Sequence, residues 1–192
     1  MIIAKAKVPQ ASDIAKLIME AMSNECCQYF VGEQHTLEEF HQLLTYLVGR
    51  EDTQYSYRNT LVALDEERTI MGICVAYDGA KLHELRKAFI AEALKAFGRD
   101  LSGDPDETQA GEYYIDSLCV EGKFRRQGIA SALLRATIQR ATNMGFDKVG
   151  LLVDKGNPNA KRLYTQLGFR HIDDNSWGGH PMSHLVINNS QV

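Results

Sequence analysis

The chain has 192 residues, 44% of them hydrophobic and 24% charged, the balance of an ordinary globular protein long enough to bury a real core. A net charge of −4 at pH 7 argues against general affinity for nucleic acid or an anionic membrane surface. No run approaches the roughly 18 apolar residues of a membrane span. The start, MIIAKAKVPQ, lacks the apolar segment of a signal peptide, so a cytoplasmic location is expected.

In chain order, MIIAKAKV reads as a first strand. Ser12 is expected to cap a helix through Ala21, with Ile14, Leu17, Ile18 and Ala21 at helical spacing. In TLEE, Thr36 and Glu39 form a capping-box pattern that opens a second helix to about Val48, stopped near Gly49. TLVALDEERTIMGICVAY is a hairpin with strands Thr60–Leu64 and Ile70–Tyr77. A helix from Lys81 to Phe97 carries Leu82, Leu85, Phe89, Ala93 and Ala96 on one side, and Gly98 to Glu112 reads as a long polar loop. YYIDSLCV is a strand, GIASALLRATIQRATNMG a long helix, KVGLLV a buried strand and NPNAKRLYTQLG a short helix. FRHID and SHLVI close the chain as two strands around DNSWGGHP. The order β-α-α-β-β-α-β-α-β-α-β-β gives an α/β fold with a mixed sheet, because hairpins and helical crossovers both occur. The four cysteines, Cys26, Cys27, Cys74 and Cys119, form neither a CxxC pair nor a disulfide framework, and reduced thiols are expected.

FRRQGIASALL, Phe124 to Leu134, sets Arg125 and Arg126 at the mouth of a helix, where the helix dipole disfavours cations unless an anion is near. Between Glu121 and Arg140 five cationic residues stand against Glu121 alone, a basic patch in an acidic chain. The helix buries Ala130, Leu133, Leu134, Thr137, Ile138 and Ala141 on one face. Gly128 lets the backbone approach a bound group, and the free N–H groups of the first turn make an anion nest. A pyrophosphate would suit it. The other reading is a solvent-exposed basic turn. Neither the GxxxxGK[ST] nor the GxGxxG phosphate-binding pattern is present.

The segment resembles the acyl-CoA-binding stretch of the GCN5-related N-acetyltransferase family, whose motif is [Q/R]-x-x-G-x-[G/A]; Arg125, Gly128 and Ala130 hold its three defining positions. The preceding strand YYIDSLCV and the following long helix fit the same pattern. So does VGLLVDKGNPNAKRLYTQLGFR, which supplies Asn157, Tyr164 and Gly168-Phe169. The resemblance covers Glu112–Arg170. It implies a mixed, mostly antiparallel central sheet flanked by helices, one domain over 1–192, with an inserted helix and loop at 78–112 and an acyl-CoA-binding core at 113–170. It implies acetyl-CoA as co-substrate, no metal, and acetyl transfer to a primary amine by direct attack in a ternary complex. Contacts to the cofactor are implied for Leu118, Cys119 and Val120 on the strand, for Arg125, Arg126, Gln127, Gly128, Ile129 and Ala130 at the turn, and for Asn157. Tyr164 is implied as the acid that protonates the departing thiolate. A small-molecule amine is expected because the insertion tends to close a groove. A peptide acceptor and a non-catalytic acyl-CoA-binding module are the alternatives. No nucleic-acid or membrane partner is expected, and a homodimer is common in the family.

Each role competes with a plainer one. Cys119 has no visible base partner and reads as a buried thiol rather than a nucleophile. Asn157 before Pro158 would cap a helix in any protein. Tyr164 shares a helix face with Ala160, Leu163 and Leu167, as a core tyrosine would. Some relatives carry a glutamate on the strand before the asparagine, and GLLV has none. Asp116, Glu112, Asp154 or a water relay are left as bases. The acceptor side falls to NECCQYFVGEQH, to the insertion and to SWGGHPMSH, with Trp177, His180 and Tyr29 as pocket candidates. Asp104, Asp106 and Glu107 are placed to attract a cationic amine, although acidic loops are ordinarily solvated. His180 and His184 are four apart, but Pro181 prevents a helical pair, so no metal site is expected.

Overall fold

The computed structural model describes residues 1–177 and 180–188. Among the described residues seven strands form one sheet in the order β1-β2-β3-β4-β5-β7-β6. They are β1 (Ile2–Lys5), β2 (Thr60–Leu64), β3 (Ile70–Asp78), β4 (Tyr113–Val120), β5 (Lys148–Asp154), β6 (Arg170–Trp177) and β7 (His180–Asn188). Every pairing is antiparallel except β4–β5, as the mixed pattern of hairpins and crossovers requires. Helices α1 (Ala11–Met22), α2 (Asn24–Val31), α3 (Leu37–Gly49) and α4 (Leu82–Phe97) build one core with the sheet; α5 (Ile129–Asn143) and α6 (Pro158–Gln166) build a second. Strand alternation divides the two: on β3, Ile73 and Val75 enter the first core, Cys74 and Ala76 the second. Covered on both faces, β2 and β3 read as unbroken apolar runs.

The Thr36–Glu39 capping box forms: Glu39 N donates to Thr36 Oγ1 at 3.2 Å, and Thr36 N to Glu39 Oε2 at 2.7 Å. The first helix differs from expectation. A 3-10 turn at Val8–Gln10, preset by Pro9, delivers the chain to Ala11 with Gln10 at the N-cap. Ser12 therefore lies inside the first turn rather than capping it. The helix α2 is an addition to the expected order. Ser23 Oγ accepts from Cys26 N at 3.3 Å to start it, and Gly32, at φ +75°, ends it. The last hairpin is also longer than expected, since β6 continues through Trp177 and β7 begins at His180, with Pro181 opposite Ser176. Because β6 is an edge strand exposed along most of its length, it has no apolar alternation to read. The expected turn residues Gly178 and Gly179 lie outside the described residues.

The parallel β4–β5 ladder holds only Tyr113–Ile115 against Val149–Leu151, and from Asp116 onward the two strands are unpaired. At that same point the β3–β4 register slips: Val75 faces Ser117 and Ala76 faces Ile115, leaving Asp116 as the extra residue of a β-bulge. Among the described residues no helix is long and apolar enough to cross a membrane.

Candidate active site

Where β4 and β5 part, a cleft of about 520 Å³ opens. Ser117 and Leu118 of β4 line one side, and Leu152, Val153 and Asp154 of β5 the other. Asn157, Ala160 and Tyr164 of α6 approach it, and so do Met22 from the end of α1 and Trp177 and Met182 from the β6–β7 hairpin. Half-buried Leu118 and Val120 alternate with Cys119, whose thiol points into the first core. Burial pushes the Cys119 thiol up to about 12, which keeps it protonated and a poor nucleophile.

The helix α5 begins with Gly128 at its N-cap, φ +79°, and no side chain caps it. Its first-turn N–H groups, those of Ile129, Ala130 and Ser131, have no intrahelical acceptor. Arg126 also lies in the left-handed region, at φ +63°. A Cβ on Gly128 would meet nothing within 4 Å, so conformation and not crowding calls for glycine. The side chains divide. Arg126 and Gln127 are exposed, whereas the Ile129 side chain is buried in the second core and leaves only its backbone to the turn. Arg125 Nε donates to the Val120 carbonyl at 3.0 Å and its guanidinium pairs with Glu20, which ties the turn to β4 and α1. An uncapped helix start beside an exposed arginine fits a phosphate group.

Asn157 caps α6, accepting from Ala160 N at 3.1 Å with Pro158 at the first helical position. Two turns on, Tyr164 is only 9% exposed and packs edge-on against Phe169, with ring centroids 5.9 Å apart. Burial holds its phenol well above the ordinary value, so it stays protonated at neutral pH. Of the three carboxylates considered as bases, Glu112 does not line the cleft. It accepts from Thr108 Oγ1 at 2.6 Å, pairs with His184 Nε2 at 3.0 Å, and lies over Gly150. Asp154 does line it, but its Oδ1 accepts from Gly156 N at 2.6 Å and its Oδ2 is 3.5 Å from His180. Asp116 lines the cleft at the bulge, bonded to Ser117 Oγ at 2.8 Å.

The sequence leaves Glu107, with Asp104 and Asp106, either to attract a cationic amine or to lie solvated in an acidic loop. Glu107 is buried, 6% exposed, and lines the cleft. Its Oε2 accepts from Trp177 Nε1 at 2.7 Å and Arg86 Nη2 at 3.0 Å. Among the described residues its Oε1 has only long contacts, to the Tyr77 hydroxyl at 3.3 Å and Gln54 Nε2 at 3.4 Å. The same Tyr77 hydroxyl is 3.3 Å from Asp116 Oδ2, so one phenolic proton stands between two carboxylates. Burial, reinforced by repulsion from Asp116, raises the Glu107 carboxyl to about 7 despite Arg86. Burial raises Asp116 as well. Of the other pocket candidates, Trp177 and His180 line the cleft, while Tyr29 is exposed and donates to Asp104 at 2.9 Å. Among the described residues no group of three or more His, Cys, Asp or Glu is arranged to hold a metal.

The fold as a whole has counterparts in known proteins. The profile of the acetyltransferase (GNAT) family matches residues 18–169. The chain belongs to the GNAT family. It is 27% identical over 166 residues to GCN5-related N-acetyltransferase 4, chloroplastic, of Arabidopsis thaliana, covering 80% of this chain. It spans 57% of that relative's length. The GNAT fold is matched over 97% of this chain and 100% of the other by an N-acetyltransferase from Staphylococcus aureus Mu50, at 23% identity and a TM-score of 0.84. A NatC complex bound to Gag peptide and CoA matches over 97% of each chain, at 18% identity and a TM-score of 0.58. The GNAT motif residues in the turn and on α6 were legible in the sequence. Glu107 was not singled out from its loop, and its signal is a distant one: the partners that bury it, Arg86 and Trp177, lie 21 and 70 residues away.

Proposed function

We propose that the protein transfers an acetyl group from acetyl-CoA to a primary amine of a small molecule, by direct attack in a ternary complex. The observation that carries this reading is the cleft between β4 and β5, with the uncapped start of α5 at Gly128 beyond the end of β4 and a protonated tyrosine on its wall. The residues present fit acetyl-CoA. First-turn N–H groups of α5 and Arg126 would take the pyrophosphate, with Gln127 beside them. The backbone of Leu118, Cys119 and Val120 and the side chain of Asn157 would take the pantetheine arm. Bound there, acetyl-CoA supplies the activated acyl carbon. A main-chain N–H of the unpaired part of β4 would stabilise the oxyanion, and Tyr164 would return a proton to the thiolate. A small acceptor is supported by the way Tyr55, Glu107 and Trp177 wall one part of the cleft.

Tyr164→Phe tests the acid. The tyrosine hydroxyl has no protein hydrogen bond among the described residues, so its removal should leave stability within about 0.5 kcal/mol of wild type. Loss of a general acid should lower kcat by about 10²-fold or more while the Kd for acetyl-CoA, measured by calorimetry, is unchanged. Unchanged turnover would remove Tyr164 from the mechanism. Acetylation of peptides but of no small amine, read by mass spectrometry, would overturn the acceptor class.

A further inference from the structure

Acceptors outnumber donors around Glu107. Two carboxylates, Glu107 and Asp116, share the single Tyr77 hydroxyl, and the carbonyl oxygen of Gln54, a residue only 3% exposed, is buried with no hydrogen-bond partner among the described residues. Arg86 is the cation that faces the pair, and it also serves Asp106 at 3.4 Å and the backbone carbonyls of Asp104 and Pro105. The buried thiol and phenols around the pair are neutral at pH 7. Cys26 of α2, Tyr55 ahead of β2, Tyr77 of β3 and Tyr114 of β4 are all raised, by burial first. His180 of β7 is turned to Asp154 instead. The site thus holds negative charge in excess of its partners, and a buried excess takes up a proton or meets a cation. A protonated amine brings both.

We propose that Glu107 is the general base of the transfer, with Asp116 as its positioning partner. The assignment rests on the acetyl-transfer reading above. Oε2 is fixed by Arg86 and Trp177, while Oε1, with only long contacts, is the oxygen left to take a proton. The acceptor enters as R–NH3⁺ and gives one proton to Glu107. The freed lone pair forms the N–C bond to the acetyl carbon, and the C–S bond breaks as Tyr164 protonates the thiolate. The second amine proton restores Tyr164, and Glu107 passes its proton to solvent. In sum, R–NH3⁺ and acetyl-CoA give the amide, CoA–SH and H⁺.

The test compares wild type with Glu107→Gln, Glu107→Asp and Asp116→Asn. Calorimetry with acetyl-CoA comes first, and affinities within about threefold of one another are expected. A wild type that does not bind would overturn the acetyl-transfer reading and this assignment with it. In the bound proteins, ¹³C NMR should find one carboxyl titrating near neutrality, absent from Glu107→Gln and lower in Asp116→Asn. With benzylamine as the acceptor probe, kcat/KM of wild type should fall on the acid side with that same midpoint. Glu107→Gln should lose about 10²-fold or more together with that limb, and Glu107→Asp should recover part of the loss. Carboxyls that all titrate in the ordinary range would overturn the assignment, whether or not benzylamine is acetylated. A Glu107→Gln enzyme within tenfold of wild type and with its pH profile unchanged would do so as well.

Discussion

At Gly128 and Gly150 glycine is needed for different reasons. A Cβ on Gly150 would come 2.2 Å from Glu112 Oε2, so crowding excludes it, whereas Gly128 has open space and a φ of +79°. The expected cost of Gly128→Ala is that of holding an L-residue in the left-handed region, about 1–2 kcal/mol. Urea unfolding should show a lower midpoint with the slope unchanged. Acetyl-CoA affinity should fall too, because the first-turn N–H groups depend on that angle; an affinity at the wild-type value would mean the phosphates bind elsewhere. Single residues also mark the limit of what the sequence discloses. The spacing of Arg125, Gly128 and Ala130 is local and could be read directly. Asp104, Asp106 and Glu107 look alike in sequence, and only the approach of Arg86 and Trp177 buries one of the three.

Elements were legible where one side of the chain is apolar with a regular period. The face of α5 is of that kind, whereas the capping box of α3 is a polar signal and the β2–β3 hairpin shows itself as two unbroken apolar runs around a charged turn. The helix α2 was missed because its buried stripe is Cys26, Cys27, Phe30 and Val31, a spacing hidden by two thiols. A pair of side chains joins the start of β4 to β7: Glu112 and His184 meet at 3.0 Å, both buried. Burial alone would raise the Glu112 carboxyl, but the bonds from His184 and Thr108 outweigh it and hold it below 4.5. The bond to Glu112 holds His184 above 6.5. Glu112, depressed in the folded state, contributes stability above about pH 4.5 that is lost as pH falls through its lowered pKa. His184, raised in the folded state, contributes below about pH 6.5 what is lost as pH rises through its higher pKa. The Tm gap between wild type and His184→Gln should therefore be widest between pH 4.5 and 6.5 and narrow on both sides. A gap independent of pH would mean that His184 acts by packing alone.

The whole molecule is joined across the split by little backbone. Only three residue pairs link β4 to β5, so the β1–β4 and β5–β7 halves of the sheet are held together chiefly by packing. A ligand lying in the cleft touches strands from both halves and should stabilise the fold as a whole. Binding at about 100 times Kd adds about 2.7 kcal/mol, which for a chain of this size corresponds to roughly 5–10 °C in Tm. Acetyl-CoA and free CoA should both produce this shift, since the phosphates and pantetheine arm are common to them. ATP and NAD carry phosphates without that arm and should not. A shift with ATP as large as with CoA would reduce the site to a general phosphate nest at α5, with the β4–β5 split serving no ligand. No shift with either CoA form would leave the arginine-flanked turn as a solvent-exposed basic loop, and the acetyl-transfer reading would fall with it.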